Sequence, residues 1–265
     1  SPESLERQIK VVLAEGRLTP KAVVAVDIFG NPCDYDAIVS VCERYNLPLV
    51  EDAAQSFGAS YSGRRCGSFG RIATTSFFPA KPLGCYGDGG AVFTDDDGLN
   101  QLCRSVCVHG KGPGGKYDNV RVGMNSRLDA IQAAILLPKL KALAEYELDA
   151  RQAVARRYSQ AFAGKLATPF VAEGCLSAYA QYVLLAEDRR QRDEIVAHLN
   201  EKNIPNMIYY PTPQHVLPVF RGEPRYGERY ENAENYCART FSLPMHPYLE
   251  EKEQQLVIDT VLEAL

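Results

Sequence analysis

The sequence has little of the material that several classes of protein require. It contains no tryptophan, three methionines and four histidines among its 265 residues. No uninterrupted apolar stretch reaches the roughly 20 residues that cross a bilayer, and the N-terminal segment SPESLERQIK has no apolar signal-peptide core. We therefore expect a soluble protein with no membrane partner.

Positive charge is scarce as well, because 29 lysines and arginines face 33 aspartates and glutamates and leave a net charge of -4. Such a chain lacks the basic surface field that attracts nucleic acids or anionic membranes. Short basic runs such as Arg64-Arg65 do not change this balance. We expect no nucleic-acid partner.

Cysteine is present, but not in the arrangements of a metal or disulfide protein. The eight cysteines include no C-x-x-C pair and are spread through the chain, as in reduced cytoplasmic proteins. Cys103 and Cys107 are one helical turn apart, yet the four histidines provide no companion ligands for zinc. We expect a cytoplasmic protein without a metal site, in which these two thiols pack within a helix.

What the sequence does contain is a succession of apolar runs. VVAVDIF (23–29) and LPLVEDA (47–53) are typical of buried strands, and the segment between them has apolar residues at helical spacing behind candidate caps at Asp34 and Asp36. Strand, helix and strand form the βαβ unit of a parallel sheet, whose ligands bind at the carboxyl ends of the strands. Asp52 lies at such an end.

Two further strands, IATTSFF (72–78) and GGAVFT (89–94), flank a glycine-rich turn that contains Lys81. A helix is predicted over residues 95–110, where an aspartate caps its start and a glycine marks its end. The glycine and proline content of residues 111–123 predicts a loop.

A long helical pattern begins at Ser126 and contains Pro138, at which we expect it to bend. A smaller α+β region follows, made of two extended segments and three helices. The extended segments are AYAQYVLLA (178–186) and IPNMIYY (204–210), and the helices lie over residues 189–203, 231–241 and 250–265.

Lys81 and Asp52 have the clearest chemical meaning. A lysine amine can form a Schiff base with an aldehyde, and a carboxylate can keep a pyridine nitrogen protonated; pyridoxal phosphate chemistry needs both. The apolar approach TTSFFPA and the turn GCYGDGG should hold Lys81 near the core, where desolvation lowers the pKa of an amine. Each residue also has a plain structural alternative, since Lys81 would suit a solvated surface and Asp52 a helix cap.

Glu51 competes with Asp52 for the same role. Alternation along LVED places the two side chains on opposite sides of the strand, so only one of them can face a ligand from that sheet. Gln55 could hydrogen bond a phenolic oxygen, or be an ordinary polar turn residue. Ser76 and Thr75 could bind a phosphate, or be strand-favouring residues.

The remaining candidates also have two interpretations each. His109 follows a helix and would suit catalysis or a stabilising charge at the helix end. Arg127 could clamp a carboxylate, or pair with an acid on its own helix. Tyr209, Tyr210 and His215 form an aromatic, proline-constrained segment that could pack on a ring or a sugar, or belong to the core.

Five longer motifs follow one another along the chain: VDIFGNPCDYDAI, VEDAAQSFGASYSGRRCGSFG, TTSFFPAKPLGCYGDGGAVFTDD, GMNSRLDAIQAAIL and IYYPTPQH. In this order they resemble the DegT/DnrJ/EryC1/StrS aminotransferases, pyridoxal-phosphate enzymes that act on nucleotide-linked keto sugars. Five ordered motifs are far more specific than one glycine motif. The resemblance implies the α/β architecture of fold type I, with a mostly parallel large domain over residues 1–140 and a connecting helix and small α+β domain over 141–265.

Carried onto this sequence, the resemblance implies that Lys81 is the Schiff-base lysine and proton carrier. Asp52 would be the partner of the pyridine nitrogen, and Gln55 the neighbour of the ring hydroxyl. Ser76 would be a phosphate ligand.

The resemblance also implies a homodimer with shared active sites. Asn125 in GMNSR resembles a residue that reaches the phosphate in the neighbouring subunit's site. Arg127 lies near it as a substrate contact, and Tyr209, Tyr210 and His215 are assigned to the same task.

Among branches of the family, the chain is most similar to enzymes of polysaccharide biosynthesis that aminate C3 of a UDP-linked 2-acetamido-3-oxo-glucuronic acid, with glutamate as the amino donor. Family dehydratases carry histidine at the position of Lys81, which argues against that branch. One departure is that the family's N-terminal portion, with a glycine-threonine phosphate loop and a ring-stacking aromatic residue, has no counterpart here. We therefore expect an N-terminally incomplete large domain, and an inactive fragment or remnant is the alternative to an active aminotransferase.

Overall fold

Helices and strands alternate along the chain in the computed structural model, which describes residues 1–223 and 227–265. The helices are α1 (Pro2–Glu15), α2 (Tyr35–Arg44), α3 (Asp97–Val106), α4 (Ala130–Ala142), α5 (Leu148–Phe162), α6 (Arg189–Glu201), α7 (Glu231–Arg239) and α8 (Glu251–Glu263). The strands are β1 (Val23–Val26), β2 (Leu49–Asp52), β3 (Ser60–Tyr61), β4 (Arg64–Arg65), β5 (Ile72–Ser76), β6 (Gly90–Phe93), β7 (Cys175–Leu176), β8 (Tyr182–Leu185) and β9 (Thr240–Leu243). Among the described residues, no helix is both long and apolar enough to span a membrane.

The chain divides into two units, and the first (residues 1–146 and 171–178) is built on a mixed four-stranded sheet. The strand order is β1-β2-β5-β6, in which β1, β2 and β5 are parallel and β6 is antiparallel to β5. Asp52 lies beside Val26 of β1 and Thr74 of β5. The carboxyl ends of the three parallel strands therefore meet at one edge of the sheet, and the predicted α/β architecture with a mostly parallel sheet is confirmed.

One face of this sheet is buried and the other is open. Its core consists of Val23, Ala25, Tyr35, Cys42 and Leu49, with partly buried residues of α1 and α2 packed against it. On the opposite face, Val24 is 62% exposed and Val26 is 46% exposed. Alternation along each strand thus assigns every residue of β1 and β2 to the core or to the open face.

Helix α2 begins where the sequence predicted a cap. The Asp34 carboxylate accepts a hydrogen bond from the backbone N–H of Ala37 at 3.1 Å, whereas Asp36 lies in the first turn of the helix. The polar stretch after β2 forms a short antiparallel ribbon in the order β4-β3-β7, which the sequence did not predict.

The long helical pattern from Ser126 is correct in type but not in its details. Helix α4 begins at Ala130, because Asp129 caps it by accepting from the backbone N–H of Gln132 at 2.8 Å. Pro138 lies inside α4, and the change in helical hydrogen bonding comes later, in a π-helical turn at Leu143–Glu147.

The second unit (residues 147–170 and 179–265) has its own core around the antiparallel pair β8 and β9. Residues from five of its helices and strands are fully buried there, among them Tyr158, Tyr182, Ile195, Phe241 and Val261. One sequence prediction is wrong in this unit, because the segment 204–210 forms a single bridge between Met207 and Ser242 in place of a strand. The helix predicted around 231–241 is confirmed, and it ends two residues earlier, at Arg239, where β9 begins.

Candidate active site

The two adjacent acids of β2 have opposite surroundings. Glu51 is 0% exposed, and its carboxylate accepts hydrogen bonds from the backbone N–H groups of Gly67, Phe69 (2.7 Å) and Gly70 (3.3 Å). It therefore closes the turn that precedes β5. Of the two acids, Glu51 is the structural one, and Asp52 lies on the opposite side of the strand, as alternation predicted.

Asp52 is half-buried at the carboxyl end of β2. One oxygen of its carboxylate accepts from the backbone N–H of Ala54 at 3.1 Å, which fixes the side chain at the start of the next turn. Asp52 thus makes a local hydrogen bond to the backbone, as a capping residue would, and its carboxylate is also on the open face of the sheet.

Lys81 is half-buried in the turn that follows β5, where its backbone N–H donates to the carbonyl of Phe78 at 2.9 Å. Burial lowers the pKa of the Lys81 amine, and the Asp52 carboxylate opposes that shift by raising it. The second effect requires the carboxylate to be within electrostatic range of the amine. The structure therefore brings together the acid and the amine that the sequence singled out.

Hydrogen bonds of Cys85 and Tyr86 restrain the turn around Lys81. Cys85 is 0% exposed, and its backbone N–H donates to the carbonyl of Phe77 at 2.8 Å. Its Sγ lies 3.0 Å from the carbonyl oxygen of Phe77 and 3.1 Å from that of Gly87, so its one S–H has two acceptors within reach. The backbone N–H of Tyr86 donates to the Gln132 side chain of α4 at 2.8 Å. These contacts restrain the segment that carries the lysine.

Gln55 and Ser76 border the same edge of the sheet. Gln55 is 8% exposed and accepts the backbone N–H of Phe29 through Oε1. Ser76 lies on the same face of the sheet as Asp52. Thr74 pairs with Asp52, and side chains two residues apart in a strand, such as Thr74 and Ser76, point to the same face. Thr75 faces the other way, is buried, and donates to the carbonyl of Ala53 at 3.1 Å, so it has a structural contact.

Asn125 and Arg127 lie farther along the first unit and are both exposed. Asn125 forms a bridge with Val108, and its side-chain oxygen accepts from Arg127 Nε at 3.0 Å. His109, close to this bridge, has a left-handed backbone (φ 61°) and an exposed side chain. Asn125 and Arg127 therefore contact each other, and the assignment of Asn125 to a phosphate and of Arg127 to a substrate stays a prediction.

Tyr209, Tyr210 and His215 belong to the second unit. The rings of the two tyrosines meet edge to face with centroids 5.6 Å apart. The His215 ring meets Tyr230 in the same way at 4.8 Å, and its Nε2 lies 3.4 Å from a carboxylate oxygen of Glu234. These contacts fix an aromatic segment, and its assignment to substrate binding stays a prediction.

Sequence reasoning missed Asp27, a fully buried acid next to the site. The signal was available, since a charged residue inside the apolar run VVAVDIF needs hydrogen-bond partners when buried. Ligand-type atoms of Asp27, Glu51 and Cys66 lie within 4.8 Å of one another, a spacing that a metal ion could use. Both carboxylates already accept hydrogen bonds, and burial raises the pKa of the Cys66 thiol, so we interpret this group as a hydrogen-bonded cluster.

A cavity of about 370 Å³ in the first unit is a separate feature. Its lining comes from α2 and the β3–β4 ribbon and includes none of the predicted site residues. The Arg64 guanidinium lies 4.7 Å from the centre of the Phe69 ring, which in turn stacks on Tyr35. The cavity is therefore distinct from the edge that carries Asp52 and Lys81.

Comparison with known proteins gives a consistent result. The sequence model of the DegT/DnrJ/EryC1/StrS aminotransferase family matches residues 2–262. The UDP-2-acetamido-2-deoxy-3-oxo-D-glucuronate aminotransferase of Pseudomonas aeruginosa is 42% identical over 241 residues, which cover 90% of this chain and 65% of that protein. The chain thus spans a little under two thirds of the length of this relative.

Solved structures have the same architecture. The crystal structure of a DegT DnrJ EryC1 StrS aminotransferase from Brucella abortus has a TM-score of 0.93 and 45% identity, covering 99% of this chain and 69% of that one. NtdA from Bacillus subtilis, solved with bound cofactor PMP, has a TM-score of 0.83 and 28% identity, covering 94% of this chain and 58% of that one. The fold is therefore that of these aminotransferases.

Proposed function

The chain belongs to the DegT/DnrJ/EryC1/StrS aminotransferase family, and on that premise we propose that it is a pyridoxal-phosphate-dependent aminotransferase acting on a nucleotide-linked keto sugar. One observation carries the proposal: the Lys81 amine is half-buried within electrostatic range of the Asp52 carboxylate, at the carboxyl ends of β2 and β5. Such an edge is where sheets of this kind bind their ligands.

The residues at this edge fit the cofactor. The amine suits its aldehyde, the carboxylate suits its pyridine nitrogen, Gln55 can reach a ring hydroxyl, and Ser76 has a hydroxyl on the face of Asp52. When bound, pyridoxal phosphate supplies an electron-accepting ring that stabilises negative charge at the carbon next to the transferred nitrogen. In this proposal residues 1–140 form the cofactor domain and residues 141–265 the connecting helix and small domain.

Lys81 then holds the cofactor and moves the proton. Because burial lowers the pKa of its amine, a larger share of the free amine is neutral. Once the amino donor has displaced Lys81, Nζ would accept the proton of the donor's α-carbon and pass it to the former aldehyde carbon of the cofactor. Asp52 would accept a hydrogen bond from the protonated ring nitrogen, and the hydrogen bond from the Ala54 backbone N–H fixes the orientation of its carboxylate.

We assign glutamate as the amino donor and UDP-2-acetamido-2-deoxy-3-oxo-glucuronate as the sugar. The support is the identity of 42% to the Pseudomonas aeruginosa enzyme named for that sugar. Arg127, which is exposed and carries a fixed positive charge, is a suitable partner for a carboxylate of either substrate. Tyr209, Tyr210 and His215 would contact the sugar or its nucleotide.

A homodimer with shared sites is part of the proposal, with Asn125 reaching the phosphate in the partner's site. Its support is the apolar surface around this residue: Val122 is 95% exposed, Met124 58% and Ile131 73%. Surfaces of this kind mark protein contacts. We also place the protein in the cytoplasm, in keeping with eight free cysteines.

The first stage of the test measures cofactor binding. Titration with pyridoxal phosphate should give a visible absorption band in the wild-type chain that Lys81→Ala abolishes. Lys141→Ala is the matched control, because Lys141 is 73% exposed on α4 and should leave the band unchanged. A wild-type chain without a lysine-dependent band would instead support the inactive fragment.

The second stage measures the reaction. Glutamate should bleach the band and release 2-oxoglutarate, and the keto sugar should restore it. The 3-oxo-glucuronate should react faster than the 3-oxo sugar with a neutral C6, because Arg127 would pair only with the former. Sugar deoxygenation that survives Lys81→Ala would point to a dehydratase and refute the assignment.

A further inference from the structure

Asp27 joins three segments of the first unit through one buried carboxylate. It lies directly after β1 and is 0% exposed. Its Oδ1 accepts from the backbone N–H of Cys33 at 2.9 Å and from the hydroxyl of Tyr35 at 2.7 Å, and its Oδ2 accepts from the hydroxyl of Ser56 at 2.7 Å. Three donors on its two oxygens therefore hold this buried side chain from both sides.

The bond to Ser56 reaches the turn that follows Asp52. The backbone N–H of Asp27 also donates to the carbonyl of Asp52 at 3.1 Å, and the N–H of Ser56 donates to the carbonyl of Ala53 at 3.2 Å. Gln55 lies between Asp52 and Ser56, the two residues that are bonded to Asp27. The position of its backbone is therefore fixed by Asp27 from one side and by its own turn from the other.

The side chain of Gln55 is fixed from the same segment. Phe29 has a left-handed backbone (φ 62°, ψ 8°), which a non-glycine residue adopts only when its surroundings impose it. Its N–H donates to Gln55 Oε1. Because an N–H can only donate, its partner must be the amide oxygen, and no described residue accepts from Nε2. The NH₂ group is thus the end of Gln55 left for a ligand.

We propose that Asp27 is a positioning residue that, through Ser56 and the Phe29 turn, holds Gln55 with its amide NH₂ directed to the ligand. Asp27 also holds the Phe29 turn, since its carbonyl accepts from Gly30 N–H at 3.1 Å. The inference rests on the proposed function, because the acceptor for that NH₂ is the ring hydroxyl oxygen of the cofactor. In this inference Gln55 is the donor of that hydrogen bond, and the protein fixes the orientation of its side chain before the cofactor binds.

The carboxylate of Asp27 offers a matched pair of variants. Ser56→Ala removes the hydroxyl on the side of Gln55, and Tyr35→Phe removes the hydroxyl on the side of α2 while keeping the ring that stacks on Phe69 at 4.1 Å. Each leaves the same buried acid with one donor fewer, so general loss of stability should be similar in both. Only Ser56→Ala should release Gln55.

The decisive measurement is the hydrogen-exchange rate of the Phe29 amide by NMR in the cofactor-free chain. Ser56→Ala should raise that rate about five- to tenfold, approaching the rate in Gln55→Leu, which removes the acceptor altogether. Tyr35→Phe should raise it by less than about twofold. Equal rates in Ser56→Ala and wild type, or equal increases in both variants, would overturn the inference.

Cofactor titration supplies a second readout. Ser56→Ala should weaken pyridoxal phosphate binding about fivefold relative to Tyr35→Phe, because a misaligned donor loses one hydrogen bond. Equal affinities in the two variants would overturn the claim that Asp27 acts through Gln55. A wild-type chain without a Lys81-dependent band would refute the proposed function alone, since the exchange comparison needs no cofactor and decides the positioning by itself.

Discussion

Burial of the Lys81 amine should make the fold less stable at pH values at which the amine is charged. Its pKa is lowered from 10.5 because burial penalises the charged amine, and the Asp52 carboxylate offsets only part of that penalty. The folded chain therefore binds fewer protons than the unfolded chain between the lowered pKa and 10.5. Stability should rise with pH across this window, and the penalty is fully present at pH values below the window.

Replacement by an uncharged side chain of similar length tests this account. Lys81→Met should raise the Tm of the cofactor-free chain at pH 7 by about 1–3 °C, a modest value because the amine is only half-buried and screened. The gain should shrink as pH approaches 10.5. Thermal unfolding between pH 7 and 10.5 measures it, with the exposed Lys141→Met as control. A gain that does not change with pH would contradict the desolvation argument.

Glu51 and Asp52 show how far the sequence could predict the site. Period-two alternation was sufficient to place them on opposite faces of the strand. It could not say which face was the core, because the N–H donors that satisfy Glu51 come from residues 67–70, in a turn that the sequence did not define. Asp27 was missed for the same reason, since Ser56 and Tyr35 are partners only in the folded chain.

Elements with strong local signals were predicted well. The parallel strands β1, β2 and β5 and the cap of α2 follow from apolar runs and one aspartate. Short strands such as β7, with two residues, have no such signal, and β9 follows α7 without a break. Their pairing depends on distant segments, so local patterns could not have specified it.

The turn that carries Lys81 depends on close backbone approach at Gly84. A Cβ there would lie 2.6 Å from the carbonyl oxygen of Pro79 and 2.7 Å from that of Phe78. Gly84→Ala should therefore lower the free energy of unfolding by about 1–3 kcal/mol and weaken cofactor binding, since the same carbonyl of Phe78 holds the Lys81 N–H. Urea unfolding and cofactor titration measure the two effects.

Gly98→Ala in α3 is the matched control for that substitution. Its Cβ would have only a side-chain oxygen of Asp96 at 3.1 Å, and alanine is the better helix former, so it should be neutral or stabilising by up to about 1 kcal/mol. If Gly84→Ala proved as stable as Gly98→Ala, the turn would not be as tightly packed as the structure indicates.

At the scale of the molecule, each unit has its own core, while several large apolar side chains of the first unit are exposed. Tyr117 is 85% exposed and Leu137 is 71% exposed, in addition to the residues around Asn125. The sequence did not signal this exposure directly, because an apolar residue on a helix looks the same whether its own chain or another chain covers it.

Mixing two defective variants tests whether sites are shared across a homodimer. Lys81→Ala and Asn125→Ala should each be inactive, and a refolded equal mixture should recover about a quarter of wild-type activity. Half of the dimers then contain both variants, and each has one intact site of two. Sedimentation must show dimers in all three samples. A dimeric mixture with no recovery would mean that both residues serve the same subunit's site.

Strand β2 also limits how the chain can change in evolution. Its two neighbouring acids face opposite ways: Glu51 is bonded to the turn before β5, and Asp52 lies within electrostatic range of the Lys81 amine. Inserting or deleting a single residue in this strand would exchange the surroundings of the two acids. The turn before β5 would lose the Glu51 carboxylate as its acceptor, and the Asp52 carboxylate would no longer face the side of Lys81. This strand should therefore tolerate changes of residue type far better than any change of one in its length.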